Sequence, residues 1–147
     1  MPEEVRQVDQ FSLTIANKVG EGARVLGVLR DAGVNLLAFW GYQRTATKAE
    51  LIFVPENTAA LVAAAKQAKL KLGKRQTAFF VQGEDRPGAA AGLLAKLAVG
   101  KINVGAVQAV SAGSGRFGAI VFLPAAAARK AAGILGVAAQ QGIAASA

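Results

Sequence analysis

Apolar and polar residues change period along this chain in a fixed order, and the order occurs twice. Phe11, Leu13 and Ile15 alternate with Ser12 and Thr14, which is the two-residue period of a strand with one buried face. A glycine-containing loop follows. Val25, Leu26 and Leu29 then recur at helical spacing, with Arg24 and Arg30 turned away. Residues 34–42 form a long β-favouring run that passes through a polar turn, 43–48, into Leu51, Ile52, Phe53 and Val54, closed by Pro55. Two such runs joined by a turn predict a hairpin. The alanine-rich stretch 58–68 has the propensity of a second helix, since proline is tolerated just before a first turn. A short last strand is expected at 70–75.

The second half repeats this order. Phe79 opens a strand; Leu93, Leu94 and Leu97 mark a helix with Lys96 outside; 102–111 and 120–123 flank a glycine-bearing turn at 112–115 and end at Pro124. A helix is expected over 125–135 and a weaker last strand over 138–144. Adding 68 superposes Phe11 on Phe79, Gly20 on Gly88, Leu26 on Leu94, Leu29 on Leu97 and Asn35 on Asn103. From Leu51 onward the best match reads 69, as if the intervening turn had gained one residue. A unit of this length is longer than a typical solenoid repeat, which favours two small homologous domains, 1–75 and 76–147. The order β-α-β-β-α-β, twice, predicts an α+β chain of two ferredoxin-like domains. Each is an antiparallel four-stranded sheet with both helices on one face.

The second strand of the first copy is apolar on both sides, with Val34, Leu36, Ala38, Trp40 and Tyr42 on one and Leu37 and Phe39 on the other. A strand of that kind needs cover on both faces. Close pairing of the copies and a homodimer are therefore expected.

Composition narrows the chemistry. Hydrophobic residues make up 53% of the 147, much of it Ala and Gly, so the elements must approach closely to bury a core. Cysteine and histidine are both absent. That removes disulfides, thiolates and the commonest metal ligand and general base. The adjacent Glu84 and Asp85 point different ways from a strand end and have no nucleophile or base beside them. The stretch GEGARVLG lacks the lysine and hydroxyl of a phosphate-binding loop. An enzyme is not expected, nor a cofactor or metal. The apolar run 119–123 is cut by Pro124, well short of the roughly 20 residues that span a bilayer. The charged N-terminus has no apolar signal region, so a cytoplasmic protein without membrane contact is expected.

The formal charge of +8 is unevenly placed. Every carboxylate side chain lies at or before Asp85, and Lys66, Lys69, Lys71, Lys74 and Arg75 form a basic run between the two copies. Such asymmetry marks either a solvated face or an anionic partner.

The loop after the first strand carries the most specific chemistry. In the second copy Asp85 stands where helix caps are found, Pro87 suits a first helical turn, and Gly88 permits close approach of backbone or ligand. Free amides at such a helix start favour a carboxylate, Asp85 would suit an ammonium, and Asn103 offers both donor and acceptor. A small zwitterion fits that set.

Asp-x-Pro-Gly, a leucine-spaced helix and then Ile102-Asn103-Val104 together resemble the ACT domain, a regulatory module that in many families binds amino acids. Asn17, Gly20, Leu26, Leu29 and Val34-Asn35-Leu36 resemble the same pattern in the first copy. The two copies cover nearly the whole chain, which therefore resembles a stand-alone tandem ACT protein. The resemblance implies that an amino acid or related metabolite binds where the loop before the first helix meets the second strand, at a domain or subunit interface. By position the candidates are Asp85, Gly88, Ala89, Asn103 and Val104, with Asn17, Gly20, Glu21, Asn35 and Leu36 in the first copy. The first copy departs from the pattern, with Val19 in place of proline and neutral Asn17 in place of Asp85. If one copy binds, the second is the better equipped.

Two alternatives stand beside this one. A ligand-free interaction scaffold would use the same helices and glycines for structure alone. An RNA-binding sheet would stack bases on Phe80 and Phe117, yet Ala119 stands where a second stacking aromatic is needed, so nucleic acid is not expected as a partner.

Overall fold

The computed structural model describes residues 3–137. Eleven elements are seen among them: β1 Glu4–Ala16, α1 Glu21–Asp31, β2 Leu36–Gln43, β3 Lys48–Pro55, α2 Thr58–Gln67, β4 Gln76–Glu84, α3 Ala89–Val99, β5 Ala106–Gly113, β6 Arg116–Phe122, a 3-10 turn Ala125–Ala127 and α4 Ala128–Leu135. They form two compact units, Asp9–Gln76 and the residues from Thr77 onward joined by those up to Val8. No helix among the described residues is long and apolar enough to cross a membrane.

In the first unit β3 lies between β2 and β1, antiparallel to both. Phe11 and Leu13 of β1 sit opposite Phe53 and Leu51 of β3, so the period-two pattern puts all four on one face. Val25 and Leu29 of α1 and Leu61 and Ala64 of α2 close over them, and Val25 and Leu61 are fully buried. Both helices thus cover the same face. The start of α2 is fixed by Asn57, whose Oδ1 accepts from the Ala60 amide at 3.0 Å.

Two expectations fail in this unit. Residues 70–75 form no strand: Leu70 and Leu72 reach the core, but the backbone is tied to β1 by Gly73 N donating to Ser12 O at 2.7 Å. A single bond of this kind makes no ladder. The alternation along β2 also breaks. The register shifts between Leu36 and Ala38, so Val34 and Leu36 face the core together with Phe39, whose ring stacks on Phe53 at 5.6 Å. A bulge leaves one residue unpaired and moves everything beyond it to the other face. Val34 and Leu36 are thereby separated from Trp40 and Tyr42.

The second unit repeats the plan, with β6 between β4 and β5 and antiparallel to both. Phe79, Val81, Phe117, Ala119 and Val121 face Leu93 and Leu97 of α3 and Ala131 and Leu135 of α4. The start of β1 serves this unit: Val5 packs on its core, Glu4 pairs with Arg116 at 3.5 Å, Glu3 with Lys96 at 3.9 Å, and the Arg6 guanidinium lies 5.4 Å from the Phe80 ring centroid. The expected strand at 138–144 lies outside the described residues.

The offset between copies is 68 throughout the ladders. Phe11 pairs with Phe53 and Phe79 with Val121, while Phe39 pairs with Phe53 and Val107 with Val121. Aligning the apolar runs at 69 would match core-facing Phe53 to Phe122, which is absent from the core of its unit. A one-residue slip turns every side chain to the wrong face. The likeness of the two runs at 69 is therefore one of composition, and no residue is inserted in the turn.

Candidate functional site

A strand–loop–helix junction recurs in both units with the same backbone bonds. Asn17 N donates to Thr47 O and Asp85 N to Gly115 O, each at 2.9 Å, which fastens the loop to the hairpin turn beside it. Glu21 N and Ala89 N donate to Lys18 O and Arg86 O at 3.2 Å, and the first helical bonds run from Arg24 to Gly20 and from Gly92 to Gly88 at 2.9 Å. Gly20 and Gly88 cap the helices at φ 88 and 85. Nothing lies within 4 Å of a Cβ built on either. Glycine is needed there for its left-handed backbone, and no close approach of another protein segment adds to that need.

The side chains of the two junctions differ. Asp85 is not a helix cap, since the start of α3 has no side-chain cap bond. Its Oδ2 instead accepts from Ser111 Oγ of β5 at 2.8 Å. Between that pair and the first turn of α3 lies an open groove of about 380 Å³, lined by Asp85, Arg86, Gly88, Ala90, Ser111 and Phe117 among others, with Ala89 also on its wall. The volume falls in the lower part of the range of small-molecule sites. Ala89 N is already bonded to Arg86 O, but the amides of Ala90 and Ala91 have no acceptor within the helix, which leaves them suited to an anion. The Arg86 guanidinium adds positive charge and is only loosely held, 4.0 Å from Glu84. A carboxylate acceptor, a hydroxyl, free amides and a cation thus surround an alanine-lined space.

Asn103 and Val104 are not on this groove. β5 runs parallel to β4, because both are antiparallel to β6, so it begins at the end of the sheet where β4 begins. Asp85 follows the row of Glu84 and Arg116, and Asn103 precedes the row of Ala78, Ala106 and Phe122. Six rows of about 3.3 Å separate them, roughly 20 Å. Asn103 is exposed and Val104 half-buried against the core. One small ligand in the groove does not reach both Asp85 and Asn103 of the same unit.

In the first unit the Asn17 amide donates to Ala46 O at 3.2 Å, turning its side chain into part of the turn. Glu21 occupies the place of Ala89 and is bonded twice by Arg24, at 3.0 and 2.8 Å. That hydrogen bonding holds the Glu21 carboxyl below the usual carboxylate range and raises Arg24. A resident carboxylate at the helix start opposes a second one from a ligand. Asn35 O accepts from Glu56 N at 2.9 Å, and Leu36 turns into the core.

Arg86 and Ser111 were not among the sequence candidates, and Phe117 was one only for base stacking. Ser111 carries the one available signal: it sits opposite Phe117 in β6, and Phe117 opposite Gly83 in β4, so ladder register brings it to the loop. The RNA-binding face fails on the same register. Phe117 lies in the row of Gly83 on the core side and is 7% exposed, whereas Phe80 pairs with Ile120 on the other face, so the two rings form no common platform. No group of three acidic, histidine or cysteine side chains able to hold a metal occurs among the described residues.

No protein-family model matches the sequence, and no curated protein does. Solved structures do. A Bacteroides thetaiotaomicron protein is similar over 90% of this chain and 88% of its own, at 17% identity and a TM-score of 0.77. The regulatory subunit of aspartate kinase from Thermus thermophilus, in its ligand-free form, is similar over 92% and 93%, at 14% identity and a TM-score of 0.62. The chain has the ACT-like fold. Aspartate kinase of Clostridium acetobutylicum matches over 90% of this chain but 33% of its own, at 12% identity and a TM-score of 0.53. At these identities the ACT-like likeness is one of backbone. The chemistry of each junction has to be read from this chain's own side chains.

Proposed function

We propose that this protein is a non-enzymatic regulatory protein that binds a small amino acid or related metabolite in the groove of its second unit. The observation that carries the reading is the Asp85–Ser111 pair facing the first turn of α3 across an alanine-lined space of about 380 Å³. Asp85 takes the ligand's ammonium, while the first-turn amides of α3 and Arg86 take its carboxylate. Ser111 holds the Asp85 carboxylate in place. Ala89, Ala90, Ala91 and Ala109 leave room beside a short side chain. Arg24 already satisfies the Glu21 carboxylate at the matching place in the first unit, which supports binding by the second unit alone. Aspartate kinase regulatory subunits having this fold is consistent with such a role. The signal passes to a second copy through a change in assembly, driven only by the ligand's different affinity for the two states.

Thermal melts against each of the amino acids test this. A ligand at about 100 times its dissociation constant adds roughly 2.7 kcal/mol to the folded state. At least one small amino acid is expected to raise the midpoint, and sedimentation in its presence is expected to show altered mass. If all of them leave the melt unchanged, the proposal is wrong.

A further inference from the structure

The first unit carries ten cations against five carboxylates, and the excess of five equals the run Lys66, Lys69, Lys71, Lys74 and Arg75. Four of the carboxylates are paired, three of them with cations outside that run. Glu21 pairs with Arg24, Asp31 with Arg30, Glu50 with Arg44 and Asp9 with Arg75, the last at 3.8 Å while Asp9 also accepts from Thr58 at 2.6 Å. Among the described residues none of the four lysines has an ion pair, and all are exposed.

The backbone under these lysines is held firmly. α2 ends in a turn with Lys69 N on Lys66 O and Leu70 N on Ala65 O, at 3.2 and 2.8 Å. Lys69 takes the left-handed conformation, φ 59, whereas α4 ends on Gly136 at φ 77. A cation therefore stands where glycine is the less strained choice. Leu70 and Leu72 then turn into the core, which sends Lys69 and Lys71 outward. Gly73 lies so close on β1 that a Cβ there would stand 2.6 Å from Ser12 Oγ. The strip runs from the last turn of α2 through a turn into a segment tied to β1, and it carries five cations within ten residues. Lys66 and Lys69 also suit the negative end of α2, but Lys71 and Lys74 lie beyond its reach.

We infer that this strip binds the phosphate backbone of a nucleic-acid duplex without reading its bases. Between Lys66 and Gln76 the exposed residues are polar apart from Ala68 and Gly73. Protein interfaces need an apolar centre, and single-strand binding needs stacking aromatics; the strip has neither. A cluster of exposed cations without an apolar centre is what sequence-independent backbone contact requires. The strip belongs to the first unit, whereas the groove at Asp85 and the Phe80 ring belong to the second.

Fluorescence anisotropy with a labelled duplex of about 20 base pairs and scrambled sequence tests this, with salt raised from 50 to 200 mM. Binding is expected at the low end. Its logarithm should fall against log salt with a slope of about −3.6 to −4.5, since each neutralised phosphate contributes about 0.9. The variant K66A/K69A/K71A/K74A should bind with a slope near −1 or not at all. The variant K18A/K101A/R129A/K130A, which removes equal charge elsewhere, should keep the original slope. Circular dichroism checks that both variants remain folded. Any of the following overturns the inference: no binding by the unaltered protein at 50 mM salt, equal loss in both variants, competition by poly-glutamate as strong as by duplex, or a preference for anionic lipid vesicles.

Discussion

Helix α1 ends on Gly33 and α3, at the same place in its unit, on Lys101, and the two adopt left-handed backbone with φ 75 and 59. The closing bonds are alike. Gly33 N and Lys101 N donate to Arg30 O and Ala98 O, and Val34 N and Ile102 N to Leu29 O and Leu97 O, all four at 2.9 Å. Lys101 is exposed and has no ion pair among the described residues, so replacing it removes no native contact. The left-handed conformation costs an L-residue about 1–2 kcal/mol, and glycine gives back about 0.5–1 through its freer unfolded chain. Lys101→Gly should therefore stabilise the second unit by about 0.5–1 kcal/mol. The reverse change, Gly33→Lys, should destabilise the first unit by a similar amount. Urea titration followed by circular dichroism reads both, as a shifted midpoint with unchanged slope. In a thermal scan each kcal/mol moves the midpoint by about 2–4 °C if the chain melts as one body, and by about 4–8 °C if a unit of this size melts alone. A loss of stability on Lys101→Gly, or no change from Gly33→Lys, would refute the argument that backbone conformation alone separates these two ends.

Asp85→Asn should leave the unliganded midpoint within about 1 kcal/mol, because it alters one exposed hydrogen bond from Ser111. The same change should weaken amino-acid binding by tenfold or more, since a charge-assisted bond contributes about 1.5–3 kcal/mol; calorimetry showing unchanged affinity would exclude Asp85 from the site. Glu21 should titrate below the ordinary carboxylate range by NMR, and Arg24→Gln should return it there. With its folded pKa depressed, its contribution to stability is complete above the ordinary carboxylate pKa and is lost as pH falls through the lowered one. Gly88→Ala should cost about 1 kcal/mol through its φ of 85 although the space around it is open, and chemical denaturation would show a neutral effect if the left-handed cap were relaxed. Leu97→Ala, at a fully buried position beneath α3, should cost about 2–5 kcal/mol in the same assay.

Most of the fold was legible in the sequence because it follows from short-range periodicity. Alternation at Phe11, Leu13 and Ile15 and helical spacing at Val25 and Leu29 each report a face, and each face is buried as expected. The order of elements, the repeat and the loop with Asp85 and Gly88 were local patterns of this kind. What escaped was whatever depends on pairing across the chain. The bulge at Leu37, the offset of 68 in β3 and β6, and the failure of 70–75 to make a strand are properties of ladders.

The groove divides in the same way. The sequence alone determined that the loop before α3 would hold a carboxylate beside a helix start, because a glycine with positive φ and the residues around it are neighbours in the chain. Tertiary structure decided what faces that loop. Parallel running of β4 and β5 took Asn103 about 20 Å away to the far end of the sheet, and antiparallel register brought Ser111 to Asp85 instead. Periodicity reports which side of an element is buried; only strand direction and register report which distant residue it meets.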